Sequence, residues 1–125
     1  MKLTPDKFDF PSISGYGPGW VAVHGEKISH SLVIGAHGQR LDWQCDAFLA
    51  LTGGHFEQLA ALEPELVIFG SGQRLRFPRP EWLASLMARR IGVETMDTQA
   101  ACRTYNILAG EGRNVIAALL LEKGG

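Results

Sequence analysis

The sequence predicts an α/β fold: an antiparallel, β-rich first part followed by a parallel βαβαβ core. Three observations carry this reading. Hydrophobic periodicity changes between Trp43 and Phe56, "LVIFG" at 66–70 has no polar interruption, and segments of helical spacing separate the strand-length runs of the second part.

From Phe8 to about Trp43, glycine and proline punctuate "FDFPSI", "GWVAVHGEKISHSLVIG" and "RLDW", with "HGEK" as the hairpin turn. In "ISHSLVI", Ile28, His30, Leu32 and Ile34 fall on one face and Ser29, Ser31 and Val33 on the other, which suits a one-sided or edge strand. "FEQLAALE", 56–63, reads as a short helix stopped by Pro64, and "LVIFG" as a strand covered on both faces. "PEWLASLMARRIG", 80–92, reads as a helix with Pro80 in its first turn, Gly92 at its exit and an inner stripe of Leu83, Leu86, Met87 and Ile91. "VETM", 93–96, is the next strand. "TQAACRTYNILAG", 98–110, is a long helix with Thr98 as N-cap, Ala101, Thr104, Tyr105 and Leu108 on one face and Gly110 as its left-handed exit. "RNVIAALLLE" closes the sheet as a third parallel strand.

The chain has 125 residues, 46% hydrophobic and 20% charged, the balance of one ordinary globular domain over residues 1–125. A net charge of -1 argues against a broad nucleic-acid surface, which needs a basic excess. Two cysteines, Cys45 and Cys102, fit a reduced compartment. "MKLTPDKFDF" reads as neither secretory signal nor transit peptide, and no apolar run is long enough to span a bilayer, so the expectation is a cytoplasmic protein without membrane insertion.

Ligands of parallel α/β sheets bind outside the carboxyl ends of the strands, here Gly70-Ser71-Gly72 and Asp97-Thr98. Two glycines admit a ligand to the backbone, Ser71 offers a hydroxyl, Arg74 or Arg76 charge, and the Thr98 helix start a partial positive charge. Against an anion cradle, "QRLRFPR" separates the turn from Pro80, and neither GxxxxGK[ST] nor GxGxxG is present. The turn reads as structural or as an anion site, and both readings stand. Cys102, about one turn inside the helix beside Arg103, is a candidate thiolate or a core residue. Asn106, a poor helix-interior residue, calls for a side-chain bond to a neighbouring loop. Glu111 and Arg113 belong to the opposite, structural end of the strands. His24, His30, His37 and His55 form no metal-ligand spacing, and no nucleophile elbow occurs, so no metal, cofactor or catalytic residue is assigned.

The ordered set "PELVIFGSGQRLRFP", "VETMDT", "TYNIL" and "EGRNV" resembles the Mth938-like domain family, a former domain of unknown function, over nearly the whole chain. The resemblance implies a mixed central sheet with flanking helices and an added N-terminal antiparallel hairpin. The family includes a mitochondrial complex I assembly factor and an adipogenesis-associated protein, and brings no established reaction. Its recurring positions fall on Gly70, Ser71, Gly72, Glu94, Met96, Thr98, Ala101, Thr104, Tyr105, Asn106, Glu111, Gly112 and Arg113.

Two functions follow as expectations. The first is a noncatalytic interaction or assembly factor with a protein partner, for which Trp20 and Trp43 are candidate exposed contacts. The second is a protein binding a small anionic metabolite at Gly70, Ser71, Gly72, Arg74, Thr98 and Cys102, unless Tyr105 or Phe77 plugs that edge.

Overall fold

The structure, a computed structural model, describes residues 10–123. Among the described residues, eight strands and three α-helices follow in the order β1 (Ile13–Gly17), β2 (Trp20–Val23), β3 (Glu26–Ile28), β4 (Leu32–Gly35), β5 (Arg40–Asp42), α1 (Gly53–Ala60), β6 (Leu66–Gly70), α2 (Ala84–Ala88), β7 (Gly92–Met96), α3 (Thr98–Gly110) and β8 (Val115–Leu119). They form a three-stranded antiparallel sheet, β1-β2-β3, and a five-stranded mixed sheet, β5-β4-β8-β6-β7. The βαβαβ core is present: β6 pairs in parallel with both β7 and β8, while β4 joins β8 antiparallel.

β6 and β8 are buried along their whole length because helices or sheet cover both faces, whereas β7, at the border of the large sheet, stays partly exposed. One face sends Leu66, Ile68, Val115, Ala117 and Leu119 against Ala101, Cys102, Tyr105 and Ala109 of α3 and against Ile13, Val21, Val23 and Ile28 of the small sheet. The other sends Val67, Phe69, Ile116 and Ala118 against Phe56 and Leu59 of α1 and Leu86 of α2. Burying each large aliphatic side chain contributes about 1.5–3 kcal/mol. α3 therefore lies between two sheets.

The hairpin turn is His24–Gly25, both with positive φ (51 and 84 degrees), the geometry that matches the twist of the flanking strands. The first two residues of "FDFPSI" lie outside the described residues, and among those described it gives no strand before Ile13. The edge reading of "ISHSLVI" is corrected. The chain leaves the small sheet after Ile28 and enters the large one at Leu32, where β4 lies between β5 and β8 with all four residues buried. Val33 enters one core and Leu32 and Ile34 the other. Ser31 makes the crossing possible, since its hydroxyl accepts from Leu121 N at 2.8 Å and its burial is thereby satisfied.

α1 starts earlier than 56 because Thr52 and His55 form a capping box at its N-terminus. The 80–92 helix is shorter than expected: one 3₁₀ turn, Pro80–Leu83, precedes α2. Arg90, with φ of 59 degrees, makes the exit, and Gly92 already belongs to β7. Met87 is 68% exposed rather than part of the inner stripe. α3 spans the expected residues, but the left-handed exit is Gly112 (φ 85 degrees), not Gly110.

Asn106 finds the partner its position requires. Its Oδ1 accepts from Ile13 N at 2.9 Å and its Nδ2 donates to Ile13 O at 2.8 Å, so the side chain binds β1 as another strand would. Tyr105 Oη donates to Pro11 O at 2.7 Å. Replacing Asn106 by Ala leaves both Ile13 groups unpaired and is expected to cost about 1–3 kcal/mol. In hydrogen exchange, the Ile13 amide should lose protection while β6 keeps its own; equal loss across both sheets would contradict a local clamp.

Candidate functional site

The carboxyl ends of β8, β6 and β7 lie side by side, with Gly70 in register with Leu119 and Met96. Gly70 is there for close packing: a Cβ would stand 2.9 Å from Thr98 Cα, 3.0 Å from Thr98 Oγ1 and 3.1 Å from Ala101 Cβ. The start of α3 therefore sits directly on the end of β6. Thr98 Oγ1 accepts from Gly72 N at 2.9 Å and donates to Leu120 O at 2.9 Å, while Thr98 N donates to Gly72 O at 2.8 Å. Ser71 N donates to Met96 O at 2.9 Å.

Ser71 has no exposed surface. Its hydroxyl donates to Arg74 O at 2.8 Å and accepts from Arg76 N at 3.0 Å, folding the loop back on itself. Gly72 (φ 104 degrees) passes so close to Arg76 that a Cβ would lie 2.5 Å from Nη2. Arg76 Nη2 donates to Ser71 O at 2.7 Å and pairs with Glu122, and its guanidinium lies 4.7 Å from the Phe48 ring centre. Burial pushes the Glu122 carboxyl up, but hydrogen bonds from Arg76 and from the Phe48 amide outweigh it and hold the group below the usual range. Arg76 Nε is buried without a partner among the described residues.

Thr98 is the first helical residue, not the N-cap, because its hydroxyl is committed to the strand ends. Asp97 caps instead, its Oδ1 accepting from Ala100 N at 2.9 Å. A carboxylate thus already occupies the place where an anion would meet the helix. Gly70, Ser71, Gly72 and Thr98 are brought together as expected, with the Gly72, Ser71 and Thr98 amides all engaged internally. Arg74 is exposed and stands apart, lining with Gln73, Arg76 and Glu122 a surface cavity of about 430 Å³. Cys102 is fully buried, and burial pushes its thiol up to about 12, which disfavours the thiolate. Tyr105 and Phe77 do not fill the edge: Tyr105 reaches Pro11 and Phe77 is 69% exposed.

Trp43 is not a surface contact either. It is 2% exposed, with Phe56 and Phe69 edge-on at 5.8 and 6.0 Å. Trp20 lies half-buried over Gly15 and Gly17, with Lys27 Nζ 5.0 Å from its ring. Arg113 pairs with Glu65 at 3.0 Å, at the end of the sheet away from Gly70.

One juxtaposition was missed in the sequence. His30 Nε2 lies 2.8 Å from Asp42 Oδ1 beside a cavity of about 330 Å³ that Cys45 also lines. Burial pushes the Cys45 thiol up. The signal is the antiparallel register that sets Leu32 opposite Asp42, which needs the β4–β5 pairing to be known first. Among the described residues, no group of three or more His, Cys, Asp or Glu side chains has metal-binding geometry.

These features define a small α/β protein whose strand-end edge is closed by its own hydrogen bonds. The chain belongs to the family described as "Protein of unknown function (DUF498/DUF598)", which it matches over residues 13–120. A Bordetella parapertussis crystal structure is similar, with a TM-score of 0.85 and 36% identity over 97% of this chain and 100% of that one. A Bordetella pertussis protein described as a Mth938-like domain has a TM-score of 0.81 and 31% identity, covering 98% of this chain and 93% of that one. The NADH dehydrogenase (ubiquinone) 1 alpha subcomplex assembly factor 3 of Bos taurus is 37% identical over 87 residues, 68% of this chain and 47% of that protein. The chain thus spans about half the length of that relative. The expectation of a cytoplasmic location is corrected by the assembly-factor relatives alone, which are mitochondrial. Two free cysteines do not distinguish the two compartments.

Thr98→Val is expected to leave Gly72 N and Leu120 O unpaired and to destabilise the protein by about 2–4 kcal/mol, whereas Thr98→Ser should be nearly neutral in denaturant melts. The Glu122 pairing has a defined pH dependence. Its carboxyl is depressed in the folded state, so its stabilisation is present above the ordinary glutamate range and lost as pH falls through the folded value. Glu122→Gln should lower stability by about 1–2 kcal/mol near neutral pH, with the gap to wild type closing as pH falls and the carboxylate is protonated. A gap constant with pH would place the effect in packing instead.

Proposed function

We propose that this chain is a noncatalytic interaction or assembly factor that holds a protein partner. The observation that carries the reading is the closed strand-end edge, where Ser71, Thr98 and the turn amides bond to one another. In this reading Gly70, Ser71, Gly72 and Thr98 form a joint that fixes the sheet to α3, and α3 then carries the small sheet. The kinship with an NADH dehydrogenase assembly factor supports a partner of that kind, a subunit of a multisubunit oxidoreductase.

The test is genetic and biochemical. Deleting the gene should lower the amount of assembled NADH:quinone dehydrogenase on native gels, and a tagged chain should retain subunits of that enzyme. Normal assembly in the deletion strain, with none of those subunits retained, would count against it.

A further inference from the structure

The segment after the glycine turn carries a surface that the joint does not use. Ser71 to Pro80 contains Arg74, Arg76 and Arg79 and no acidic residue. Arg76 turns inward to Glu122 and Phe48, while its neighbours Leu75 and Phe77 stand 52% and 69% exposed. Pro78 and Pro80 fix φ just beyond them. A second segment joins the same surface. Phe48 packs 5.6 Å from Trp82, Arg79 lies 6.0 Å over the Trp82 ring, and Leu49, next to Phe48, is 90% exposed.

Single exposed apolar residues are ordinary on protein surfaces, but here three large ones stand close to arginines at one end of the molecule. The acids nearby are Glu122, which pairs with Arg76 and also feels the charge of Arg74, Glu81, only loosely placed at 3.9 Å from Arg79, and exposed Asp46, two residues before Phe48. Arg74 has no ion-pair partner among the described residues. Projecting leucine and phenylalanine side chains need no matched recess in a fluid phase, and guanidinium groups beside them pair with phosphate oxygens. A half-buried indole at the same edge suits the boundary between headgroups and acyl chains.

The geometry points to a peripheral contact with an anionic phospholipid bilayer. Leu49, Leu75 and Phe77 enter the headgroup boundary, and Arg74 and Arg79 meet lipid phosphates. The contact rests on the surface and does not cross it: no helix among the described residues is long and apolar enough to do so.

Co-sedimentation with vesicles of phosphatidylcholine alone, or with about one third phosphatidylglycerol, tests the assignment. Wild type should bind the anionic vesicles, weaken as salt rises, and bind the neutral ones poorly. The paired substitution Leu75→Ser with Phe77→Ser should lower partitioning about tenfold or more, and Arg74→Glu should weaken it on anionic vesicles alone. Ile107→Ser, which removes a side chain 62% exposed on α3, should leave binding unchanged. Circular dichroism should show each variant folded, since the substituted positions are exposed. Absence of binding to anionic vesicles, equal binding to neutral ones, or binding indifferent to the paired substitution overturns the proposal.

Discussion

The Thr98 hydroxyl is the constraint on which the rest of the architecture depends. In two hydrogen bonds it joins the turn after β6 to the chain leaving β8, while its own residue starts the helix that follows β7. All three parallel strand ends are tied through one side chain. The arrangement is possible only because Gly70 lacks a Cβ, letting α3 approach the end of β6 more closely than any other residue would permit. A buried hydroxyl with both donor and acceptor satisfied is worth more to specificity than its net energy suggests, since any shift of α3 leaves backbone groups unpaired.

From this joint the helix transmits order outward. α3 is held to the large sheet at its N-terminal end, and along its length Arg103 and Asn106 reach the small sheet, Arg103 through Tyr16 Oη at 2.9 Å, while Tyr105 holds Pro11 just before it. The small sheet contributes Ile13, Val21, Val23 and Ile28 to the same core and has no hydrogen-bonded strand in common with the large one. Apart from the Ser29–Ser31 crossing, its hydrogen bonds to the rest of the described residues run through side chains.

Much of this architecture was legible in the sequence, for identifiable physical reasons. "LVIFG" and "TQAACRTYNILAG" declared themselves because a strand buried on both faces and a long amphipathic helix leave strong patterns. Asn106 was readable as a bonded residue because its helix propensity is poor. Other features depend on contacts distant in sequence. Thr98 looked like a cap, but Leu120 and Gly72 claim its hydroxyl, and Asp97 is free to cap. "ISHSLVI" alternates as one edge strand would, yet Ser29–Ser31 carry the chain between two sheets. The candidate site showed the same division: which residues meet at the strand ends followed from topology, whereas whether they face a ligand or one another depended on rotamers that no spacing records. The His30–Asp42 pair required the register of two short strands.

The bond pair between Asn106 and Ile13 has a consequence for solubility. β1 lies at the border of the small sheet, where an unsatisfied backbone invites another chain to add itself as a strand. A helix-borne carboxamide that occupies both the donor and the acceptor of Ile13 acts as a terminator at that border. The protein closes one possible route to polymerisation with a single side chain.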